Sequence, residues 1–119
     1  MKRLSASVIG VLMAGGVWAD TSPFDGRYKL NPDVPGCVVG EGDVANAAFE
    51  IRNGRFISIE TECRLANPTN IRDMGAMLYD LTCSSEGEEW SDRILLMMKD
   101  DGSLLRVVDG MAFTNPPCE

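Results

Sequence analysis

The chain has 119 residues, with 11 basic and 18 acidic side chains, four cysteines and no histidine. A net charge of −7 without any basic stripe repels phosphate backbones, so nucleic acid is not an expected partner. The absence of histidine removes serine–histidine and cysteine–histidine nucleophile systems.

The first nineteen residues have the three parts of a secretory signal peptide: Lys2 and Arg3, an apolar run from Val8 to Val17, and the small or aliphatic pair Val17 and Ala19 around Trp18. The apolar run is about half the length a membrane-spanning helix needs, so cleavage after Ala19 is expected, leaving one domain over residues 20–119 and no membrane insertion. Loss of Lys2 and Arg3, with no acid, takes the net charge from −7 to −9. The short leader suits a periplasmic protein, with secretion as the other destination. An acidic exported domain favours a cationic protein as partner, while solubility is a second reason for the same charge. A monomer is expected.

Cys37, Cys63, Cys83 and Cys118 all follow the leader and form no CxxC pair. In an exported domain of about a hundred residues that pattern indicates two disulfides, not zinc or redox chemistry. Three connectivities are possible. Cys37–Cys63 with Cys83–Cys118 is preferred here, because each bridge would tie a loop or terminus to a strand.

After the leader, Gly26 to Leu30 reads as a first strand. The glycine- and proline-rich segment NPDVPGCVVGEGD reads as a loop, with Val38-Val39 as a short strand inside it. AAFEIRNGRFISIETEC then alternates with period two on both sides of Asn53-Gly54, the dipeptide that best tolerates a type I′ turn. Counting in twos places Phe49, Ile51, Ile57 and Ile59 on one face, with Cys63 pointing inward. Residues 64–74 (RLANPTNIRDM) read as a non-periodic connection broken at Asn67-Pro68, and as one candidate binding loop.

Alternation resumes with Met77, Tyr79, Leu81 and Cys83. SSEGEE makes a polar turn, and a long strand begins at Trp90. Asp100-Asp101-Gly102 and Asp109-Gly110 mark two more hairpins, the last ending at Asn115-Pro116-Pro117. Short strands joined by tight turns, without an amphipathic helix, predict an all-β antiparallel meander closing into a barrel of six to eight strands.

Catalysis is not expected: the thiols are oxidised in this reading, and no carboxylate pair sits in an apolar setting that would raise one pKa. No cofactor or metal is expected either. Glu86, Glu88, Glu89 and Asp92 cluster round one turn, but their spacing fits no calcium loop, and a solvated turn explains them. The same four carboxylates could instead meet a basic partner. Trp90, in phase with Ile94 and Leu96, reads as core; tryptophan is also the residue most at home in an interface. Leu95 and Met97 on the opposite face would form an apolar strip. These seven residues, Glu86, Glu88, Glu89, Trp90, Asp92, Leu95 and Met97, are the candidate partner-binding set. A small apolar-ligand carrier is the alternative, with a cavity lined by Met77, Tyr79, Met98 and Met111; an accessory subunit of an envelope complex is a third reading.

Phe24-Asp25-Gly26-Arg27-Tyr28 resembles the Gly-x-aromatic opening strand of calycin-like barrels, with Tyr28 where the family usually has tryptophan. Small periplasmic barrels of that kind include inhibitors of lysozyme and of secreted proteases. The resemblance implies a barrel and an inhibitor of a cationic, envelope-targeting enzyme, and it carries over no functional residue.

Overall fold

The computed structural model describes residues 20–40 and 46–118; the leader expected over residues 1–19 lies outside the described residues. Nine strands are present among them: β1 Gly26–Lys29, β2 Val38–Val39, β3 Ala47–Arg52, β4 Arg55–Ser58, β5 Thr61–Ile71, β6 Ala76–Ser85, β7 Glu88–Met98, β8 Leu104–Val108 and β9 Met111–Asn115. Apart from β2, each strand pairs with its neighbours in sequence, giving the order β9-β8-β7-β6-β5-β4-β3-β1. The meander follows from its turns. Asn53 and Gly54 (φ 54° and 79°), Glu86 and Gly87 (51° and 85°), and Asp109 and Gly110 (54° and 75°) take the left-handed conformations that two-residue hairpin turns require. β2 runs parallel to the start of β3, pairing Val38 with Ala47 and Val39 with Ala48.

The eight-strand path curls into a nearly closed barrel. Beyond β9 the chain lies antiparallel to β1: Lys29 N–H donates to the Pro116 carbonyl (2.8 Å) and Cys118 N–H to that of Arg27 (2.9 Å). The Asn115 side-chain amide adds a bond to the Lys29 carbonyl (3.0 Å). The Cys37–Cys118 disulfide staples this seam.

The second disulfide joins Cys63 to Cys83, which face each other on β5 and β6. The pairing is therefore loop to terminus and strand to strand, not the expected Cys37–Cys63 with Cys83–Cys118. The reason lies in register, which puts two inward thiols opposite each other on adjacent strands. In the chain-entropy account the 20-residue and 81-residue separations correspond to about 3.3 and about 4.5 kcal/mol of stabilisation. Disulfides of this kind belong to an oxidising, extracytoplasmic compartment. Among the described residues no helix is long and apolar enough to cross a membrane.

Two other expectations are corrected. Phe56, not Ile57, shares the inner face with Ile51, because the two-residue turn pairs Arg52 with Arg55 and so Ile51 with Phe56; Ile57 pairs with Glu50 on the outer face. Ile59 lies in the turn that follows β4. The expected loop over residues 64–74 is mostly β5, which continues to Ile71. Asn67-Pro68 does not end this strand. It forms a bulge between Ala66 and Thr69, with Asn67 at φ 53°, one of the few places a sheet accepts proline.

The interior is filled. Tyr28 stacks on Phe49 (5.4 Å between centroids), Phe49 on Phe56 (4.8 Å), and Ile51, Leu65, Tyr79, Leu96 and Leu104 are fully or almost fully buried around them. One end is plugged by a 3-10 turn, Ser22–Phe24. Phe24 meets Tyr79 edge to face (6.3 Å), and Tyr79 Oη donates to the Asp20 carbonyl (3.0 Å). Burial, with Asp20 and Asp25 nearby, pushes the Tyr79 pKa up to about 12. Thr21 is buried and its hydroxyl accepts from Gly54 N–H (2.9 Å), locking the plug to the first hairpin turn.

Candidate functional site

The other end is built differently, because β7 outruns β8. The β8–β9 hairpin stops where Val108 faces Ile94, so among the described residues no strand pairs with residues 88–93 of β7 on that side. Their other edge pairs with β6 down to Ser85 and Glu88. Trp90 stands on this overhang, opposite Cys83 and in phase with Ile94 and Leu96 as expected. It is 42% exposed nonetheless, which corrects its reading as core: the phase is inward, but the barrel wall is missing at that level. Ile51, Phe56, Cys63, Cys83 and Trp90 form one cross-strand ladder, the last four of them around the barrel mouth.

Carboxylates surround this end. Glu86, Glu88 and Glu89 are exposed on the β6–β7 turn and the start of β7, and Asp92 is half-buried beside Trp90. The structure brings in two more that the sequence reading omitted. Glu60, in the turn after β4, hydrogen-bonds Glu86 across the gap, and that contact with its like charge raises the Glu60 pKa. Glu62 on β5 shares an open groove with Glu60, Glu86 and Glu89, and pairs with Arg55. The signal was available: Ser58-Ile59-Glu60-Thr61 is a second tight turn of the same meander, which must fall at the same barrel end as the turn at Glu86-Gly87. Among the described residues no group of three or more acidic or sulfur ligands is arranged to hold a metal ion.

Leu95 and Met97 lie on the outer face, both half-buried. Leu95 sits between Leu78 on β6 and Val107 on β8, and Val107 is 37% exposed. The apolar strip therefore exists, further along β7 than the acidic turn. Residues 64–71 do not fold over it, being part of the wall. The residues named for a carrier cavity do not converge on one. Tyr79 is buried in the plugged end, Met98 Sδ lies 3.7 Å from Tyr28 Oη, whose proton goes to the Phe24 carbonyl (2.7 Å), Met77 is half-buried, and Met111 is 53% exposed at the rim.

One interior side chain escaped the sequence reading. Arg106 shares an inward phase with Leu104 and Val108. Its guanidinium lies over the rings of Phe113 (4.6 Å), Phe49 (4.8 Å) and Phe56 (5.9 Å), and Nε donates to Asn115 Oδ1 (2.7 Å). Burial lowers its pKa to about 10, which still leaves it charged at neutral pH. It borders a cavity of about 160 Å3 at the barrel mouth, together with Phe56, Trp90, Asp92 and the Cys63 and Cys83 side chains. The pattern Leu-Leu-Arg-Val-Val was the visible clue, an arginine at an inward position of an apolar strand.

No family model, no curated protein and no solved structure matches the chain.

Proposed function

We propose that this is an exported, non-catalytic binding protein of the periplasm, which holds a cationic protein at the open end of its barrel. The partner class fits a basic enzyme that attacks the cell envelope, and the domain would act as its inhibitor. The observation that carries this reading is Trp90, 42% exposed on an overhanging strand among Glu86, Glu88, Glu89 and Asp92. A large aromatic supplies contact area at low entropic cost, and the carboxylates around it steer and orient a basic surface. The unpaired edge of residues 88–93 offers backbone groups to the same partner. The non-catalytic part rests on the lack of histidine and on four cysteines held in disulfides.

The mouth cavity of about 160 Å3 is smaller than the roughly 300–1,000 Å3 of pockets that enclose a drug-sized ligand, which weighs against a carrier of bulky apolar molecules. Association with lysozyme, as a cationic enzyme, tests the proposal by surface-immobilised kinetics at low and physiological salt. Replacing Glu86, Glu88 and Glu89 together by glutamine should slow association about tenfold at low salt, with the difference shrinking as the screening length falls to about 8 Å. Trp90→Ala should speed dissociation instead. Wild-type kinetics for both variants at low salt would sink this surface.

A further inference from the structure

The barrel mouth holds a half-buried charge, the guanidinium of Arg106. Among the described residues Arg106 takes part in no ion pair, and its one hydrogen bond is the Nε contact with Asn115. Three aromatic rings cover the guanidinium, which offsets part of its desolvation. They do not satisfy its two amino groups. Neither amino group is sealed in the core as an unpartnered atom, so both reach accessible space, and Arg106 borders the mouth cavity. A guanidinium edge at a cavity is the side-chain geometry that best receives a carboxylate, through two parallel hydrogen bonds.

We propose that this cavity binds a small organic monocarboxylate with a flat apolar body, its carboxylate on the amino groups of Arg106 and its body against Trp90 and Phe56. The size agrees: about 160 Å3 is close to the roughly 150 Å3 of a cavity that accepts benzene. Thr61 and Asp92 stand among the polar groups bordering the same cavity. Asp92 sets the charge of the ligand, because a second anionic group near Trp90 would be repelled. The Cys63–Cys83 bridge lies beside the ligand and keeps β5 and β6 from spreading. This site shares Trp90 and Asp92 with the protein-docking surface and differs from it in its charged anchor. It uses the interior arginine and not the turn glutamates.

Titration of the full-length, disulfide-intact protein with benzoate, benzamide and formate tests it, followed by calorimetry and by the NMR signals of Arg106 Nε–H and the Trp90 indole. Benzoate should bind saturably in about the millimolar range and shift both signals. Benzamide, with the same shape and no charge, should bind about tenfold more weakly, and so should formate, with the charge and no ring. Asp92→Asn should tighten benzoate several-fold, and Arg106→Met should abolish its binding. Equal binding of benzoate and benzamide, equal binding of benzoate and formate, or no benzoate binding would each overturn the proposal. These contrasts use the wild-type chain and stand even where Arg106→Met fails to fold.

Discussion

The two ends of the barrel are made from the same materials, tight turns between antiparallel strands, and come out opposite in character. At one end a 3-10 turn inserts Phe24 beneath Tyr79, and the polar atoms that go under with it are bonded: Thr21 to Gly54, Tyr79 to Asp20. At the other, β7 overshoots β8, leaving Trp90 half in water, and two level turns set Glu60 against Glu86. Burial with satisfied hydrogen bonds stabilises, whereas an exposed aromatic among like charges does not. Apart from the Cys63–Cys83 bridge, the second end therefore contributes little to holding the fold.

The sharpest way to break that comparison is to truncate one aromatic at each end. Phe24→Ala should cost about 3–5 kcal/mol, as expected for a buried phenylalanine. Trp90→Ala should cost only about 1–2 kcal/mol, because its ring is only partly removed from water. Chemical denaturation measures both, and equal losses would erase the distinction between plug and overhang. Replacing Cys63 and Cys83 together by alanine should cost about 3 kcal/mol by loop entropy, and peptide mapping of the native chain should recover these two cysteines in one bridge. Recovery of a Cys37–Cys63 bridge would contradict the register of β5 and β6.

Gly54→Val should cost about 1–2 kcal/mol in strain at φ 79° and more beyond it, since Gly54 is buried, its N–H donates to Thr21 of the plug and its carbonyl accepts from Leu65 N–H. The same change at Gly87, at φ 85° but in open space, should cost only its backbone strain and leave the plug intact. A Gly87 variant that melts as low as the Gly54 variant would place a stabilising role at the acidic end. The smallest effect belongs to Glu60→Gln. The raised Glu60 pKa means that the folded chain holds this proton to higher pH than the unfolded chain does, so wild type loses stability as pH rises through the carboxylate range. The glutamine variant should melt slightly higher at neutral pH and match wild type in acid. A gain that persists in acid would assign it to something other than the Glu60–Glu86 contact.

Much of this was legible beforehand, in local features. Period two and the dipeptides Asn53-Gly54 and Asp109-Gly110 gave strands and turns, because side-chain alternation and positive φ are properties of a few adjacent residues. What failed depended on distant neighbours. The partner of Cys63 is set by how β6 slides along β5, and the exposure of Trp90 by how far β8 falls short of β7. Ile57 was misplaced by a different route: counting in twos across a turn ignores that antiparallel partners sum to a constant, which reverses parity at Ile51 and Phe56. Of the site, the turn glutamates were readable as a cluster. Glu60 and Arg106 became meaningful only once the barrel brought separate strands together.

The seam between β1 and the stretch beyond β9 bears on the order in which the molecule folds. Every other strand pair in the path is a near neighbour in sequence, while the seam joins residues 86 positions apart. Loop-closure entropy makes such a contact slow to find, so the hairpins are expected to zip first and the cylinder to shut last. Until it shuts, β1 and β9 are bare edges open to pairing with another chain, and the Cys37–Cys118 bridge removes that hazard once formed. Pulse-labelled hydrogen exchange during refolding would see this directly, as amides of the β6–β7 hairpin protected before those of Lys29 and Cys118.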